Sequence, residues 1–579
     1  MKELQRLNKY FKKYYKHFVL GIIITILSQV FMVMTPEFVG DAINILNDFL
    51  ADKITSGFAK NELFKLLGYI IGATLLSGFF TFWMRQTLIV MSRHIEFDMK
   101  NEIFKQYQSL SLDFFKRNRT GDLMSRISED VAKVRQYVGP AVMYSLNTVA
   151  RMGIVLIQMF IISPKLSLYA LIPVPILMIG MMKLMKLIKS RSIAYQQNLS
   201  NLSSFVQENF SGIRVIKAYN QEKRLSGDYL DLTENSKNIF LKLTIANGLI
   251  APMMIGLIAL SNIFVVYIGT KMYINNEISV GVIAQFIMYI NILTWPIASL
   301  GWISSMVQEA EASQKRINEF LNEKSAITST LSPVQTPISG AIEFKNVSFT
   351  YSDTGIKALE NISFQLPKGK TLAVLGSTGS GKSTLLHLIT RLYDADQGEV
   401  VIDQHNVKDY EIQNLRTAVA TVPQDAFLFS DTIKNNIKYG KPTATDKEII
   451  RYAKLADVDK NIEAFTDGYE TMLGERGLTL SGGQKQRVSI ARALIKQSPI
   501  LLLDDSLSAV DTETEENILN NLKSITQDTT TVIITHRISA AKHADWIVIL
   551  EKGRIIEQGT HSQLIKNNGY YAELYEKQL

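Results

Sequence analysis

The sequence has 579 residues, more than one ordinary hydrophobic core organises, so two to four domains are expected. Hydrophobic residues make up 47% and charged residues only 20%, which is apolar for a soluble protein of this length, and the absence of cysteine excludes disulfides, thiolate metal sites and cysteine nucleophiles. The excess of Lys and Arg gives a net charge of +8, and a basic arm at residues 1–16, directly before an apolar run, indicates anionic lipid headgroups rather than nucleic acid.

Six apolar segments occupy the first half of the chain. Each is near or above the roughly 20 residues that an α-helix needs to cross the hydrocarbon core of a bilayer. Two of them run for 28 and 31 residues without a charge, which is too long for helices buried in a soluble core. We therefore predict an α-helical polytopic membrane domain over residues 1–323, with spans at about 17–39, 65–91, 137–163, 166–188, 241–270 and 277–308.

Basic residues in the connections between these spans predict the orientation. The N-terminal arm and the connections 92–138 and 189–237 carry 22 Lys and Arg, against 4 in the other connections. Since Lys and Arg accumulate on the cytoplasmic side, we expect an inner (plasma) membrane protein with both termini and the two long connections in the cytoplasm. These connections have a helix-forming composition, so we expect helices that extend below the bilayer and turn at 118–121 and 211–212.

The character of the sequence changes after the sixth span. Residues 324–340 are rich in Ser, Thr and Pro, which predicts a linker. From 341 to 579, helical stretches alternate with short β-branched runs: AIEFKNVSF, TLAVLG, GEVVID, TAVATVP, PILLLDD, TTVIITH and WIVILEKGRIIEQG. This alternation predicts one α/β domain with a mainly parallel sheet and a helical insert.

A glycine-rich loop lies between the apolar strand TLAVL and the helical stretch STLLHLITRL. It matches G-x-x-x-x-G-K-[ST], in which backbone N–H groups at a helix N-terminus bind the phosphates of a nucleotide. We expect Lys382 to bridge the β- and γ-phosphates, Ser383 to ligate Mg²⁺, and Asp504, at the end of an apolar run, to hold Mg²⁺ through water. The predicted nucleotide-binding residues of this loop are Gly376, Ser377, Thr378, Gly379, Ser380, Gly381, Lys382, Ser383 and Thr384.

A second motif, Leu480-Ser-Gly-Gly-Gln484, lies between the loop and Asp504. Together the two motifs resemble those of the ATP-binding cassette (ABC) transporters, and six spans followed by one cassette resemble the exporter-type half-transporters of that family. The resemblance covers essentially the whole chain. It implies a P-loop cassette, an ATPase coupled to transport, the cofactors ATP and Mg²⁺, and a second half-transporter as partner. In this family two cassettes sandwich two ATPs, so Ser481, Gly482, Gly483 and Gln484 are expected to complete the partner's site.

Four further residues match positions of the family's motifs. Tyr351 lies where the family stacks an aromatic ring on adenine, and Asp511 ends the loop that crosses the dimer interface. Gln424 matches the glutamine that senses Mg²⁺ and faces the membrane domain, and His536 matches the switch histidine. The resemblance thus gives Gln424 and His536 catalytic roles, and Gln424 a place at the metal.

Three segments also resemble exporter features. Residues 474–477 (GERG) precede the signature as they do in exporters rather than importers. Residues 114–131 and 208–222 coincide with the expected cytoplasmic turning points and resemble the coupling regions that press into the cassettes.

Asp505 departs from the family pattern. The position after Asp504 normally carries Glu, the base that positions the attacking water. Because Asp is one methylene shorter, its carboxylate would lie on the order of 1 Å from the productive place, and such a displacement can cost ~10²-fold in rate. With an intact signature beside a weak Asp505, the chain resembles the degenerate-site half of a heterodimeric bacterial multidrug exporter. A homodimer that hydrolyses ATP with Asp505 is the alternative.

The predicted function is therefore ATP-driven export of lipophilic or amphipathic compounds. Two alternatives stay open: a homodimeric lipid flippase or peptide exporter, and a membrane regulator that senses ATP without transporting.

Two arginines suggest where cargo binds. Arg151 is the one charge between residues 139 and 164, and Arg85 follows an uncharged run. A charge inside the bilayer costs at least ~2.5 kcal/mol and normally faces a wet interior. We expect Arg151, with Trp295, Gln285 and Asn291, to line a cavity for amphipathic cargo, anionic compounds included. The alternatives are a structural pair, for example with Asn147, for Arg151 and an interfacial position for Arg85.

Overall fold

A computed structural model describes residues 2–474, 477, 480–525 and 528–578. The chain divides into two compact units, Met1–Gln106 with Gly121–Asn322 and Tyr107–Thr120 with Glu323–Leu579. The short segment 107–120, which lies in sequence between two membrane helices, therefore packs with the cassette unit.

The first unit is helical. Two short helices, Glu3–Leu7 and Asn8–Lys13, precede six helical segments that are long and apolar enough to cross a membrane. Many of their large apolar side chains are exposed, as expected where lipid rather than protein covers them. The six segments are Tyr15–Leu50, Ser56–Ser109, Thr120–Ile162, Pro164–Ser211, Glu222–Ile274 and Val280–Leu321.

The basic N-terminal arm is anchored by acidic residues of the second long helix. The Lys9 ammonium lies 2.5 Å from Glu102, and Lys13 lies 2.6 Å from Asp98. The Tyr10 hydroxyl donates a hydrogen bond to Glu102 as well. Part of the positive charge of this arm, which was expected to contact anionic lipid headgroups, is thus neutralised within the protein.

Breaks in the long helices fall at the turning points that the sequence predicted at 118–121 and 211–212. The short helix Leu112–Arg117 ends at Asn118, whose backbone is extended, and Gly212 separates Pro173–Ser211 from the short helix Ile213–Ala218. Two π-helical turns, Arg126–Asp130 and Tyr137–Ala141, interrupt the third segment.

The cassette contains two sheets, where the sequence predicted one mainly parallel sheet. The six-stranded sheet has the order β10-β9-β3-β8-β7-β6 and is parallel except for β10, and a four-stranded antiparallel sheet has the order β2-β1-β4-β5. The strands are β1 Ile342–Thr350, β2 Lys357–Leu366, β3 Thr371–Gly376, β4 Gln397–Ile402, β5 His405–Asn406, β6 Val419–Val422, β7 Ile500–Asp504, β8 Thr530–Ile534, β9 Trp546–Glu551 and β10 Arg554–Gly559.

The antiparallel sheet includes β2, which the sequence analysis did not identify. Phe344 of β1 pairs with Phe364 of β2, and their rings stack with centroids 4.6 Å apart. Such cross-strand aromatic pairs stabilise a sheet that is covered on one face.

Parallel strands bring the motif-bearing loops to one edge of the larger sheet. Strands β3, β7 and β8 are almost wholly buried, as apolar strands covered on both faces should be. In the register of these strands, Ile534 lies between Val374 and Asp504. The loops that follow the three strands therefore emerge side by side.

Helices surround this sheet and form the predicted insert between β6 and β7. The helices of the cassette are Lys382–Ile389, Val407–Asp409, Ile412–Thr417, Ile433–Lys438, Asp446–Leu455, Asp459–Glu463, Gly468–Glu470, Gly482–Leu494, Thr512–Ile525, Ile538–Ala541, His561–Lys566 and Tyr570–Gln578. The end of the linker is fixed by Asp403, whose carboxylate accepts hydrogen bonds from the backbone N–H groups of Ser339, Gly340 and Ala341.

Candidate functional site

Glycine is required at two positions of the glycine-rich loop after β3. Gly376 and Gly381 have φ of +149° and +99°, a region that L side chains rarely adopt. A Cβ on Gly376 would lie 2.2 Å from the carbonyl oxygen of Leu550, and one on Gly381 would lie 2.3 Å from that of Ala358. The loop can therefore pack this closely against neighbouring backbone only with hydrogen as the side chain.

Lys382 lies folded over this loop. Its ammonium donates hydrogen bonds to the carbonyl oxygens of Gly376 and Ser377, at 2.9 and 2.8 Å. Burial lowers the pKa of Lys382, whereas the nearby Asp505 and Asp504 raise it in part. A buried cation at the N-terminus of the helix Lys382–Ile389 fits a phosphate ligand.

Oxygen ligands suited to Mg²⁺ lie beside Lys382. The Ser383 hydroxyl donates a hydrogen bond to Asp504 at 3.0 Å, and Asp504 is buried at the end of β7. Burial raises the pKa of Asp504, and Asp505 raises it further, while the Ser383 hydrogen bond and Lys382 lower it. Hydroxyl and carboxylate oxygens are the ligands that Mg²⁺ prefers, so the residues present fit the ion.

Asp505 is held in an unusual backbone conformation. Its φ is +44°, and its carbonyl oxygen accepts a 2.8 Å hydrogen bond from the Ser508 hydroxyl. The side chain is buried.

A cavity of about 330 Å³ collects most of the predicted site. Of the predicted residues, Tyr351, Thr378, Gly379, Gly381, Lys382, Ser383, Thr384, Gln424, Asp504, Asp505 and His536 line it. Gly376, Ser377 and Ser380 form the loop without lining the cavity, and the hydroxyl of Ser380 is buried beneath Gly376. A purine nucleotide could thus contact an aromatic ring, a lysine and the oxygen ligands in one place.

The signature residues lie outside this cavity. Ser481 caps the helix Gly482–Leu494, accepting a hydrogen bond from the N–H of Gln484, whose side chain accepts one from the N–H of Ser481. A Cβ on Gly483 would lie 2.8 Å from the carbonyl oxygen of Ala509. Of the 474–477 segment, Glu475 and Arg476 lie outside the described residues.

Asp511 also lies outside the cavity. It accepts a hydrogen bond from the N–H of Thr514 at the start of the helix Thr512–Ile525. This backbone hydrogen bond lowers the pKa of Asp511.

Two residues that were not selected from the sequence connect the loops that carry the predicted site residues. The Gln486 side chain donates to the carbonyl oxygen of Gln424 at 3.4 Å and accepts from the N–H of Ala509 at 3.3 Å. Arg537, which directly follows His536, donates to the carbonyl oxygens of Ser508 and Val510 at 3.0 and 3.1 Å.

Arg537 also pairs with the buried carboxylate of Glu515. The loop 505–511 is therefore held from both sides, by Gln486 and by Arg537. In the sequence, the available signals were the position of Gln486 two residues after the motif Leu480–Gln484 and that of Arg537 next to His536.

The first unit, which contains the six long apolar helices and is called the membrane unit below, has a polar cavity of about 280 Å³. The Arg151 guanidinium donates to the Gln29 side chain at 2.8 Å, and Gln29 donates to Asn147 at 2.8 Å. Arg85 lines the same cavity, a location that the alternative of an interfacial position for Arg85 does not predict. The lining residues are Gln29, Thr81, Met84, Arg85, Met143, Tyr144, Asn147, Thr148, Arg151, Trp295 and Pro296.

Two predicted cavity residues lie elsewhere. The buried Gln285 donates to the carbonyl oxygen of Glu37, and the exposed Asn291 donates to the carbonyl oxygen of Ile287 on its own helix. Arg151 and Trp295 are thus brought together, and Gln285 and Asn291 are not.

Comparisons with known proteins agree with this geometry. Residues 18–297 match the ABC transporter transmembrane region family, and residues 359–508 match the ABC transporter family. The chain is 35% identical over 99% of its length to a "Probable multidrug resistance ABC transporter ATP-binding/permease protein" of Bacillus subtilis, covering 97% of that protein. It is 32% identical over 88% of its length to an "ATP-dependent lipid A-core flippase" of Syntrophus aciditrophicus, covering 84% of that protein.

The fold has a counterpart among solved structures. A bacterial Atm1-family ABC exporter with ATP bound superposes with a TM-score of 0.80 at 24% identity, covering 97% of this chain and 98% of that one. A transmembrane region of six helices and an ATP-binding cassette are thus fused on one polypeptide, and the chain belongs to the ABC transporters, as an exporter-type half-transporter.

Proposed function

We propose that this chain is one half of a dimeric exporter that uses ATP to move amphipathic compounds with an anionic group out of the bacterial cytoplasm, across the inner membrane. The observation that carries the cargo class is the polar cavity of the membrane unit. It is lined by Arg85 and Arg151 and by the rings of Tyr144 and Trp295, with no carboxylate among the described residues that line it. Because unpaired charge is costly in a bilayer, two cations there favour an anionic group of the cargo.

The size of the cavity fits the anionic headgroup of the cargo. Its volume of about 280 Å³ is below the ~300–1,000 Å³ that encloses a drug-sized ligand. An apolar portion of the cargo would then extend along the apolar helix surfaces. A lipid with an anionic headgroup meets the same description, so flipping of a lipid is an outcome that the experiment distinguishes.

The cassette residues take the following roles in this proposal. Lys382 would bind the β- and γ-phosphates, Ser383 and Asp504 would hold Mg²⁺ with Gln424, and Tyr351 would stack on adenine; all five residues line the cavity. ATP supplies the phosphoanhydride bond whose hydrolysis drives the cycle, and Mg²⁺ neutralises phosphate charge. The coupling regions 114–131 and 208–222 carry the motions of the cassettes to the membrane helices.

One set of residues acts in hydrolysis at this chain's own site, and another set acts across the dimer interface. Asp505 and His536 orient the attacking water at this chain's own site, and the shorter Asp505 makes that site slow. Ser481, Gly482, Gly483, Gln484 and Asp511 act across the dimer interface, at the site of a partner that carries Glu. The partner is thus a second, different half-transporter.

The experiment compares Arg151→Ala with Asn291→Ala, a matched control because Asn291 lies outside the cavity. In vesicles, Arg151→Ala should reduce transport of an anionic amphiphile at least tenfold, with uptake of a neutral analogue and ATPase activity without cargo retained. Fluorescent anionic phospholipid and soluble anionic dye are assayed in parallel to separate flipping from export. Undiminished transport of the anionic amphiphile by Arg151→Ala, or an equal loss for anionic and neutral cargo relative to the wild type, would refute the assigned cargo class.

A further inference from the structure

The helix Leu112–Arg117 packs with the cassette next to the predicted adenine site. Phe114 is buried, and Leu112 packs against the apolar cluster that contains β1 and β2. Asp113 accepts a 2.8 Å hydrogen bond from the hydroxyl of Ser352, the residue after Tyr351. The segment is continuous with the long helices Ser56–Ser109 and Thr120–Ile162, so its position is tied covalently to both.

Lys116 on this helix lies over the ring of Tyr351. Its ammonium is 4.3 Å from the centroid of Tyr351 and 5.1 Å from that of Tyr393, distances at which a cation is attracted to an aromatic face. Phe349 and Tyr393 contact the Tyr351 ring edge-to-face, with interplanar angles of 85° and 88°. Tyr351 lines the nucleotide cavity and Lys116 does not, so Lys116 lies on the ring outside that cavity.

Tyr351 in turn contacts the phosphate-binding helix. Its hydroxyl is 3.0 Å from the hydroxyl of Thr384, which follows Ser383. The charge of Lys116 also reaches this helix: burial lowers the pKa of His387, and Lys116 lowers it further. One ring therefore connects the ammonium, the predicted adenine position and the phosphate-binding helix.

We propose that Lys116 is a positioning residue through which the segment between two membrane helices reads whether a purine base occupies the cassette. Stacking of adenine on Tyr351 and the contact of Lys116 with the same ring stabilise each other, so base binding favours the docked position of the helix Leu112–Arg117. By linkage, the docked helix increases the affinity for the base by the same factor. This inference rests on the proposed role of Tyr351. It adds a second route, besides the one through Gln424, by which nucleotide binding acts on the membrane helices.

The test measures equilibrium binding of ATP and of inorganic triphosphate, which has no base, to the full-length chain in lipid nanodiscs. Lys116→Met should weaken ATP binding about two- to tenfold, the range expected for a cation–π contact, and leave triphosphate binding unchanged. Lys116→Arg should restore ATP affinity to within about twofold. Arg119→Met removes an exposed charge from the same segment, residues 107–120, and should change neither affinity.

Hydrogen exchange gives a readout independent of affinity. In the wild type, ATP should protect residues 107–120 more than triphosphate does, and Lys116→Met should abolish the difference. Equal protection by both ligands in the wild type would overturn the proposal even if the variant failed to fold. Unchanged ATP affinity in Lys116→Met, an equal loss for ATP and triphosphate, or the same loss in Arg119→Met would also overturn it.

Tyr351→Ala separates this inference from the assignment beneath it. If Tyr351→Ala leaves ATP and triphosphate affinities unchanged, the adenine assignment of Tyr351 fails, and the inference fails with it. If Tyr351→Ala weakens ATP selectively and Lys116→Met does not, only the role of Lys116 fails.

Discussion

Arg537 gives a quantitative prediction about the loop that follows β7. Its guanidinium binds the carbonyl oxygens of Ser508 and Val510 and the carboxylate of Glu515, which is 1% exposed. Arg537→Met removes all three contacts and leaves a buried carboxylate with the Ser539 hydroxyl, at 3.1 Å, as its remaining hydrogen-bond donor in the described part of the chain. We expect this change to destabilise the cassette far more than the loss of a surface ion pair would.

The magnitude follows from the burial of the pair. Removing one partner of a buried ion pair costs about 3–5 kcal/mol, and the lower value applies because the Arg537 side chain retains 35% exposure. A domain of this size loses about 2–4 °C of midpoint per kcal/mol, so a loss of 3 kcal/mol should lower the midpoint by roughly 6–12 °C. In the double variant Arg537→Met, Glu515→Gln no buried charge is left unpaired, so the midpoint should lie above that of Arg537→Met alone.

The assay is thermal unfolding of the full-length protein by scanning calorimetry, at one scan rate for all variants. Arg554→Met serves as the control, because its pair with Glu360 is exposed and is worth about 0–1 kcal/mol. A double variant no more stable than Arg537→Met, or an equal loss in Arg554→Met, would refute the reasoning that an unpaired buried carboxylate carries the cost.

Three further predictions concern the cassette. Lys382→Ala should abolish tight ATP binding at this chain's site because it removes the cation at the phosphates, and retained affinity in a nucleotide-binding assay would refute that role. Asp505→Glu should change turnover of the assembled dimer modestly, whereas Ser481→Arg should stop it through the partner's site. Full cooperative ATPase activity of the purified chain alone would contradict the heterodimer. Burial raises the pKa of Asp403, but hydrogen bonds from linker N–H groups lower it more, so its folded pKa is depressed. This contribution to stability is present above about pH 4 and is lost as the pH falls below it. Asp403→Asn should therefore make the unfolding midpoint less dependent on pH in that range.

The sequence predicted the features that depend on local pattern. Long uncharged runs identify membrane helices by length alone, and the spacing of strand, loop and helix identifies the phosphate-binding loop at 376–383. In a parallel sheet, loops at the carboxyl ends of neighbouring strands meet at one edge, so the sequence alone is enough to place Asp504 and His536 near Lys382.

Features that depend on pairing or rotation were not accessible. Ile362, Phe364 and Leu366 alternate with polar residues and indicate a strand, but alternation does not specify its neighbour or direction. In the long sixth helix, polar residues are too few to show which face is turned inward. Gln285 therefore lies against Gly40 on another helix, whereas Trp295 lines the polar cavity.

The packing of residues 107–120 with the cassette affects how the protein is made. Asp113 and its partner Ser352 are separated by 239 positions in the chain. At a synthesis rate of about 5–20 residues per second, the docking surface emerges roughly 10–50 s after the segment that it receives. The second unit is thus assembled from two parts of the chain that are far apart in sequence, and the earlier part waits for the later one. A ribosome pause between residues 120 and 350 would lengthen the time for which Phe114, buried in the folded chain, stays uncovered.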